Sequence, residues 1–137
     1  MHIFIGGAHN GKQEFVENWL KEPDKWTWIG PGHVWDLEQL AQVDSDCIVL
    51  NRIDEWLEST EMDETDALAH IMRGIEGKET VVILTDLGRG IVPVDPKQRK
   101  LRDQCGRLYQ WLIAEADEVT RIWYGLAQTL KKRGETG

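Results

Sequence analysis

Three things are scarce in this chain: cysteine, long apolar runs and positive charge. Two cysteines, Cys47 and Cys105, form no C-x-x-C pair. One falls in a strand-like run and the other on the apolar stripe of a helix, so both are expected to be reduced core residues of a cytoplasmic protein. The longest purely apolar runs, Val81–Leu84 and Trp111–Ala114, are far too short to cross a bilayer. The opening Met1-His2-Ile3-Phe4-Ile5 lacks a basic stretch and a long apolar stretch, so no secretory signal is expected. Sixteen Lys and Arg stand against 24 Asp and Glu, a net charge of −8, and the pI is near 5.0. A nucleic-acid binder or an anionic-membrane binder needs a basic stripe, and none dominates here. The densest acidic run, Asp54 to Asp66, reads as a solvated helix face and a connecting loop.

What is present suits an ordinary globular chain. Its 137 residues, 41% of them apolar, fit one domain over residues 1–137 with a sizeable core. The periodicity alternates between short apolar runs and helical stripes. Strands are expected at His2–Ile5, Trp26–Ile29, Asp46–Leu50 and Thr80–Thr85, the last β-branched and uninterrupted. Helices are expected over Lys12–Lys21, Val34–Gln42 and Asp66–Glu76, with Gly77 closing the third, and from about Pro96 to Asp117. Glu118–Tyr124 and Leu126–Lys131 read as strands around a tight turn at Gly125. Strands separated by helices pair in parallel, because each crossover returns to the same end of the sheet, while the closing pair is antiparallel. The expected class is therefore α/β, with a mostly parallel sheet and an antiparallel C-terminal strand.

Gly6-Gly7-Ala8-His9-Asn10-Gly11-Lys12-Gln13 fits the phosphate-loop pattern G-x-x-x-x-G-K up to its last position. Glycines let the backbone curl so that successive N–H groups point at phosphate oxygens. Lys12 then reaches the terminal phosphates from a helix N-terminus, where the dipole already favours anions. The pattern lies between an apolar strand and an amphipathic helix, the context such a loop requires. Gln13 stands where Ser or Thr normally offers a hydroxyl to Mg²⁺. Its amide oxygen is a candidate metal ligand on a longer arm. The strand Asp46–Leu50 ends at Asn51, which lacks the charge a metal's water shell wants; Asp54 follows about one turn later. Asp86 comes directly after Val81–Thr85, at the carboxyl edge where open α/β sheets bind ligands.

Further on, Thr85-Asp86-Leu87-Gly88-Arg89-Gly90-Ile91-Val92-Pro93, Arg102-Asp103, Gly106-Arg107, Gln110 and Ala114-Glu115-Ala116-Asp117-Glu118-Val119 follow one another in a recognisable order. This stretch, Thr80 to about Lys131, resembles the adenosylcobinamide kinase/adenosylcobinamide-phosphate guanylyltransferase family, as does the phosphate loop opening at Gly6. The resemblance implies a three-layer, RecA-like P-loop domain in cobalamin assembly and corrinoid salvage. It implies ATP or GTP with Mg²⁺, a corrinoid alcohol as phosphate acceptor, and a homotrimer. Gly6 to Gln13 then hold nucleotide phosphates, His9 standing where the family usually carries a basic residue. Lys12 and Asp86 are the expected catalytic pair, Gln13 and Asp86 the expected metal side, and Arg102 and Asp103 match a charged pair near the site.

One family segment has no counterpart. After the second strand the family carries its guanylylated histidine in a stretch like "AT....D.EM..RI..H...R", whereas here Trp28-Ile29-Gly30-Pro31-Gly32-His33 runs almost directly into the next helix. His33 lies outside any match and reads as a loop histidine. The expectation is a kinase without the guanylyltransferase half. The alternatives are a relative that binds nucleotide without turnover, and a phosphotransferase acting on another acceptor. Seven tryptophans are the remaining oddity. Trp19, Trp111 and Trp123 fit core stripes or strands. Trp26, Trp28, Trp35 and Trp56 fall near the shortened segment, to fill core, cover a subunit contact or floor an acceptor pocket.

Overall fold

Continuous apolar runs such as Cys47–Leu50 and Val81–Leu84 have no polar face to offer water, so they settle as central strands covered on both sides. The computed structural model describes residues 1–7, 11–86 and 95–132. The elements run β1 (His2–Gly6), α1 (Lys12–Trp19), a 3-10 turn (Pro23–Lys25), β2 (Thr27–Ile29), a 3-10 helix (Leu37–Gln42), β3 (Cys47–Asn51), α2 (Ile53–Ser59), α3 (Glu64–Gly74), β4 (Glu79–Thr85), α4 (Pro96–Glu115), β5 (Glu118–Trp123) and β6 (Leu126–Lys132). The strands form one sheet in the order β2-β3-β4-β1-β5-β6, parallel except for the β5–β6 pair.

Helices cover both faces. On one face the 3-10 helix, α2, α3 and α4 pack Leu37, Leu40, Trp56, Ile71, Leu108 and Leu112 against Ile3, Ile48, Leu50, Val82 and Leu84. On the other, α1 sets Val16 against Phe4, Val49, Ile83 and Ile122. This is the three-layer α/β arrangement expected. The β5–β6 turn places Tyr124 at φ 50° and Gly125 at φ 77°. Two left-handed residues in succession give a two-residue turn whose twist matches the strands it joins.

The fold corrects three expectations. Val34–Gln42 is not an α-helix: a 3-10 helix covers Leu37–Gln42 only. It starts late because Trp35 is still extended, bridging Ile29 in parallel, and because Gln39 Oε1 accepts from the Asp36 N–H and fixes the start there. The acidic run does carry a helix, α2, but not only a solvated face: its Ile53, Trp56 and Leu57 are buried at helical spacing. Trp19 and Trp123 are 43% and 60% exposed. Trp19 is the last residue of α1, its ring edge-on to Phe4 and His2, and Trp123 is the last residue of β5. Trp56 is buried and Trp26, Trp28 and Trp35 pack partly buried against the two cores.

Candidate functional site

Register decides what meets at the carboxyl edge. β1 lies between β4 and β5, with Gly6 opposite Thr85, and the Asp86 N–H donates to Gly6 O at 2.8 Å. The start of the glycine-rich loop and Asp86 therefore leave adjacent strands side by side. β3 lies beyond β4, and its last residue Asn51 pairs with Ile83. Gly6 has no room for a side chain: an added Cβ would lie 2.6 Å from Ile122 O.

The loop enters α1 through Gly11, at φ 71°, a conformation that glycine adopts without strain. Among the described residues no side chain caps α1. The first hydrogen bond is Phe15 N–H to Gly11 O, so the amides of the first turn remain directed at the loop, where an anion is favoured. Lys12 is only 7% exposed, and its Nζ donates to Gly7 O at 2.6 Å. Burial holds its pKa below the ordinary lysine value, Arg52 adds to the depression, and Asp54 opposes it. Gly11, Lys12, Gln13, Asn51, Arg52 and Thr85 line a cavity of about 200 Å³. A second cavity, of about 370 Å³, lies on the other side of β1, between Gly6, Gly7, Asp86, Arg121, Trp123 and Leu130.

The two positions that normally serve a metal are joined to each other. Asn51 Nδ2 donates to Gln13 Oε1 at 3.3 Å, and Gln13 Nε2 donates to Glu17 Oε1 at 3.2 Å. The oxygen expected to face Mg²⁺ already accepts a hydrogen bond, and neither amide carries charge. Among the described residues no group of three His, Cys, Asp or Glu could hold a metal ion. Neither Gln13 nor Asn51 offers the carboxylate oxygen that Mg²⁺ prefers, so this amide pair does not fit as its ligands.

The other expected residues are dispersed. Ala8, His9 and Asn10 lie outside the described residues, as does the stretch Leu87 to Val94 with its Gly-x-Gly-Ile-Val-Pro match. Arg102 and Asp103 sit on α4, the first half-buried and the second exposed. His33 lies in the loop after β2, its ring 5.7 Å from that of Trp28. Sequence reasoning passed over Arg52, which follows Asn51 at φ 60° and turns the chain from β3 into α2. It also passed over Tyr109, whose hydroxyl is buried on α4 with no hydrogen-bond partner among the described residues. Arg52 directly follows a strand end, a signal that was available; nothing in the sequence marks Tyr109.

A strand, a glycine-rich loop and a buried lysine opening the next helix, under a parallel sheet of this order, define an α/β protein of the P-loop, RecA-like kind. Among solved structures the chain is similar to the flagellar accessory protein FlaH from Methanocaldococcus jannaschii. The TM-score is 0.60 at 12% identity, covering 96% of this chain and 78% of that one, a likeness of fold. The family model described as cobinamide kinase/cobinamide phosphate guanyltransferase matches residues 39–130, and the chain belongs to that family. It is thus a member of an enzyme family of cobalamin biosynthesis that uses a nucleotide as substrate. No curated protein matches it. No helix of the described residues is long and apolar enough to cross a membrane.

Proposed function

We propose that this chain binds ATP or GTP with its phosphates at Gly6–Gln13 and transfers the terminal phosphate to a hydroxyl of adenosylcobinamide. The observation that carries this reading is the buried Lys12 at the open start of α1, one strand away from Asp86. In the transfer, the acceptor oxygen forms a bond to the terminal phosphorus as the bond to the bridging oxygen breaks, and the nucleoside diphosphate leaves. The hydroxyl proton passes to the Asp86 carboxylate. Lys12 leaves Gly7 O to neutralise charge on the transferring group, and the α1 amides hold the remaining oxygens. No step is assigned to a metal, because Gln13 and Asn51 engage each other. Guanylyl transfer is left out of the reading, since His33 is a loop residue packed on Trp28 and not aligned with Lys12 in any cavity described. The reading places the protein in the cytoplasm, its two cysteines free, as a single domain in a homo-oligomer.

The Gln13–Asn51 bond favours a second reading, nucleotide binding without turnover in a regulatory or interaction subunit. Incubation with γ-labelled ATP or GTP, Mg²⁺ and adenosylcobinamide separates the two. Label on the corrinoid supports the kinase. Bound nucleotide with no label transferred to any acceptor supports the second reading. If Lys12→Ala leaves nucleotide affinity unchanged, the phosphate-loop assignment is wrong.

A further inference from the structure

We propose that this site binds nucleotide phosphates without a divalent cation, and that Arg52 supplies the positive charge the cation would bring. The inference rests on nucleotide binding at Lys12 and specifies its chemistry. The first observation is the amide pair. Gln13 Oε1 accepts from Asn51 Nδ2, so a cation that takes this oxygen displaces Asn51 and gains a neutral ligand in return, while the other end of the Gln13 amide stays held by Glu17. The second is the position of Arg52. It shares the cavity of Lys12, Gln13 and Asn51, and its charge acts on the Lys12 ammonium. A divalent ion placed there would face both cations, while Asp54, the carboxylate whose charge also reaches Lys12, lies 3.6 Å from Arg52 Nε and is already paired with it.

Arg52 is held for this purpose by its own backbone. Its left-handed conformation reverses the chain immediately after β3. Its side chain lies between Asp54, at 3.6 Å from Nε, and Glu55, leaving the guanidinium about half exposed at the cavity. Exchanging an exposed carboxylate partner for a phosphate keeps a charge-assisted, two-pronged contact, the geometry arginine provides and lysine does not. The ligand class is a free nucleoside di- or triphosphate, taken without its magnesium.

The test measures the affinity of the intact protein for ATP and for GTP by titration calorimetry, in MgCl2 and in EDTA. The expected result is equal or tighter binding in EDTA. Arg52→Ala lowers affinity about tenfold in both buffers, the size of one lost charge-assisted contact, and Arg52→Lys recovers part of it. The double variant Gln13→Ser with Asn51→Asp, its folding checked by thermal melting, gains a preference for MgCl2. Wild-type affinity that falls tenfold or more in EDTA overturns the proposal while leaving nucleotide binding intact. An unchanged affinity in Arg52→Ala overturns the role of Arg52. No nucleotide binding in either buffer overturns the functional reading itself and this proposal with it.

Discussion

Replacing Gly30 by alanine tests whether β2 and the candidate site are packed as described. Gly30 follows β2 at φ 145°, and its N–H donates to Trp35 O. A Cβ built there would lie 2.2 Å from Asn51 O and 3.1 Å from Asn51 C. Two costs follow. A side chain at that φ is strained by about 1–3 kcal/mol. The collision is with backbone, which cannot swing aside as a side-chain tip does, and overpacking of this kind costs about 1–3 kcal/mol. The sum, about 2–6 kcal/mol, is a large share of the roughly 5–15 kcal/mol that holds a domain together. In a chain of this length it lowers Tm by about 6–20 °C. The variant also pushes on Asn51, whose side chain holds Gln13, so nucleotide affinity per folded molecule should change as well. Gly32→Ala is the control: it too has a positive φ, 83°, but nothing lies within 4 Å of its Cβ, so only the strain is expected. Unfolding followed by tryptophan fluorescence reads both. A Gly30→Ala protein no less stable than Gly32→Ala would refute the close approach of β2 to Asn51.

Tyr109→Phe should leave stability unchanged or raise it by about 1 kcal/mol, because it removes a buried hydroxyl with no partner among the described residues; a loss beyond about 1 kcal/mol in urea unfolding counts against this. Burial, with Asp54 and Glu58 adding, raises the Cys105 thiol to about 12, so native protein at pH 8 should resist iodoacetamide at Cys105 while unfolded chain is alkylated there. Rapid native labelling at that residue, located by mass spectrometry, is the contrary outcome. Burial lowers the His2 pKa below 6.5, outweighing the pull of Glu118. The unfolded chain then takes up this proton more readily, so His2 subtracts stability as pH falls through about 6.5 towards the lower folded value. Urea midpoints for His2→Gln should fall less steeply over that window than those of the parent, and parallel curves would count against it.

Most of the architecture is legible because burial writes itself into sequence in one dimension. β3 and β4 are covered on both faces and so read as unbroken apolar runs. β1, its glycines and the stripe of α1 mark a strand, a turn and a helix in succession. What escapes are pairings between distant residues. The buried side of α2 is concealed because Ile53, Trp56 and Leu57 are interleaved with acids. The indole N–H of Trp56 reaches Glu38, 18 positions away, a contact no local pattern announces. At the site, Lys12 and Asp86 are legible from motif and strand end. That the strands they follow, β1 and β4, are neighbours needs the strand order, and although Arg52 follows a legible strand end, its backbone reversal shows only in the folded chain.

The Gln13–Asn51 bond also constrains how this chain can change by descent. Asn51→Asp alone sets a carboxylate oxygen against Gln13 Oε1. Turning the Gln13 amide over to donate instead brings that oxygen against Glu17 Oε1. Either way two acceptors confront each other. Gln13→Ser alone leaves the Asn51 Nδ2 without the oxygen it now serves. Each single step is penalised while the pair of steps is not, so the two positions form an epistatic lock. A Ser–Asp pair at these two positions is therefore reached by two linked substitutions rather than by either one alone.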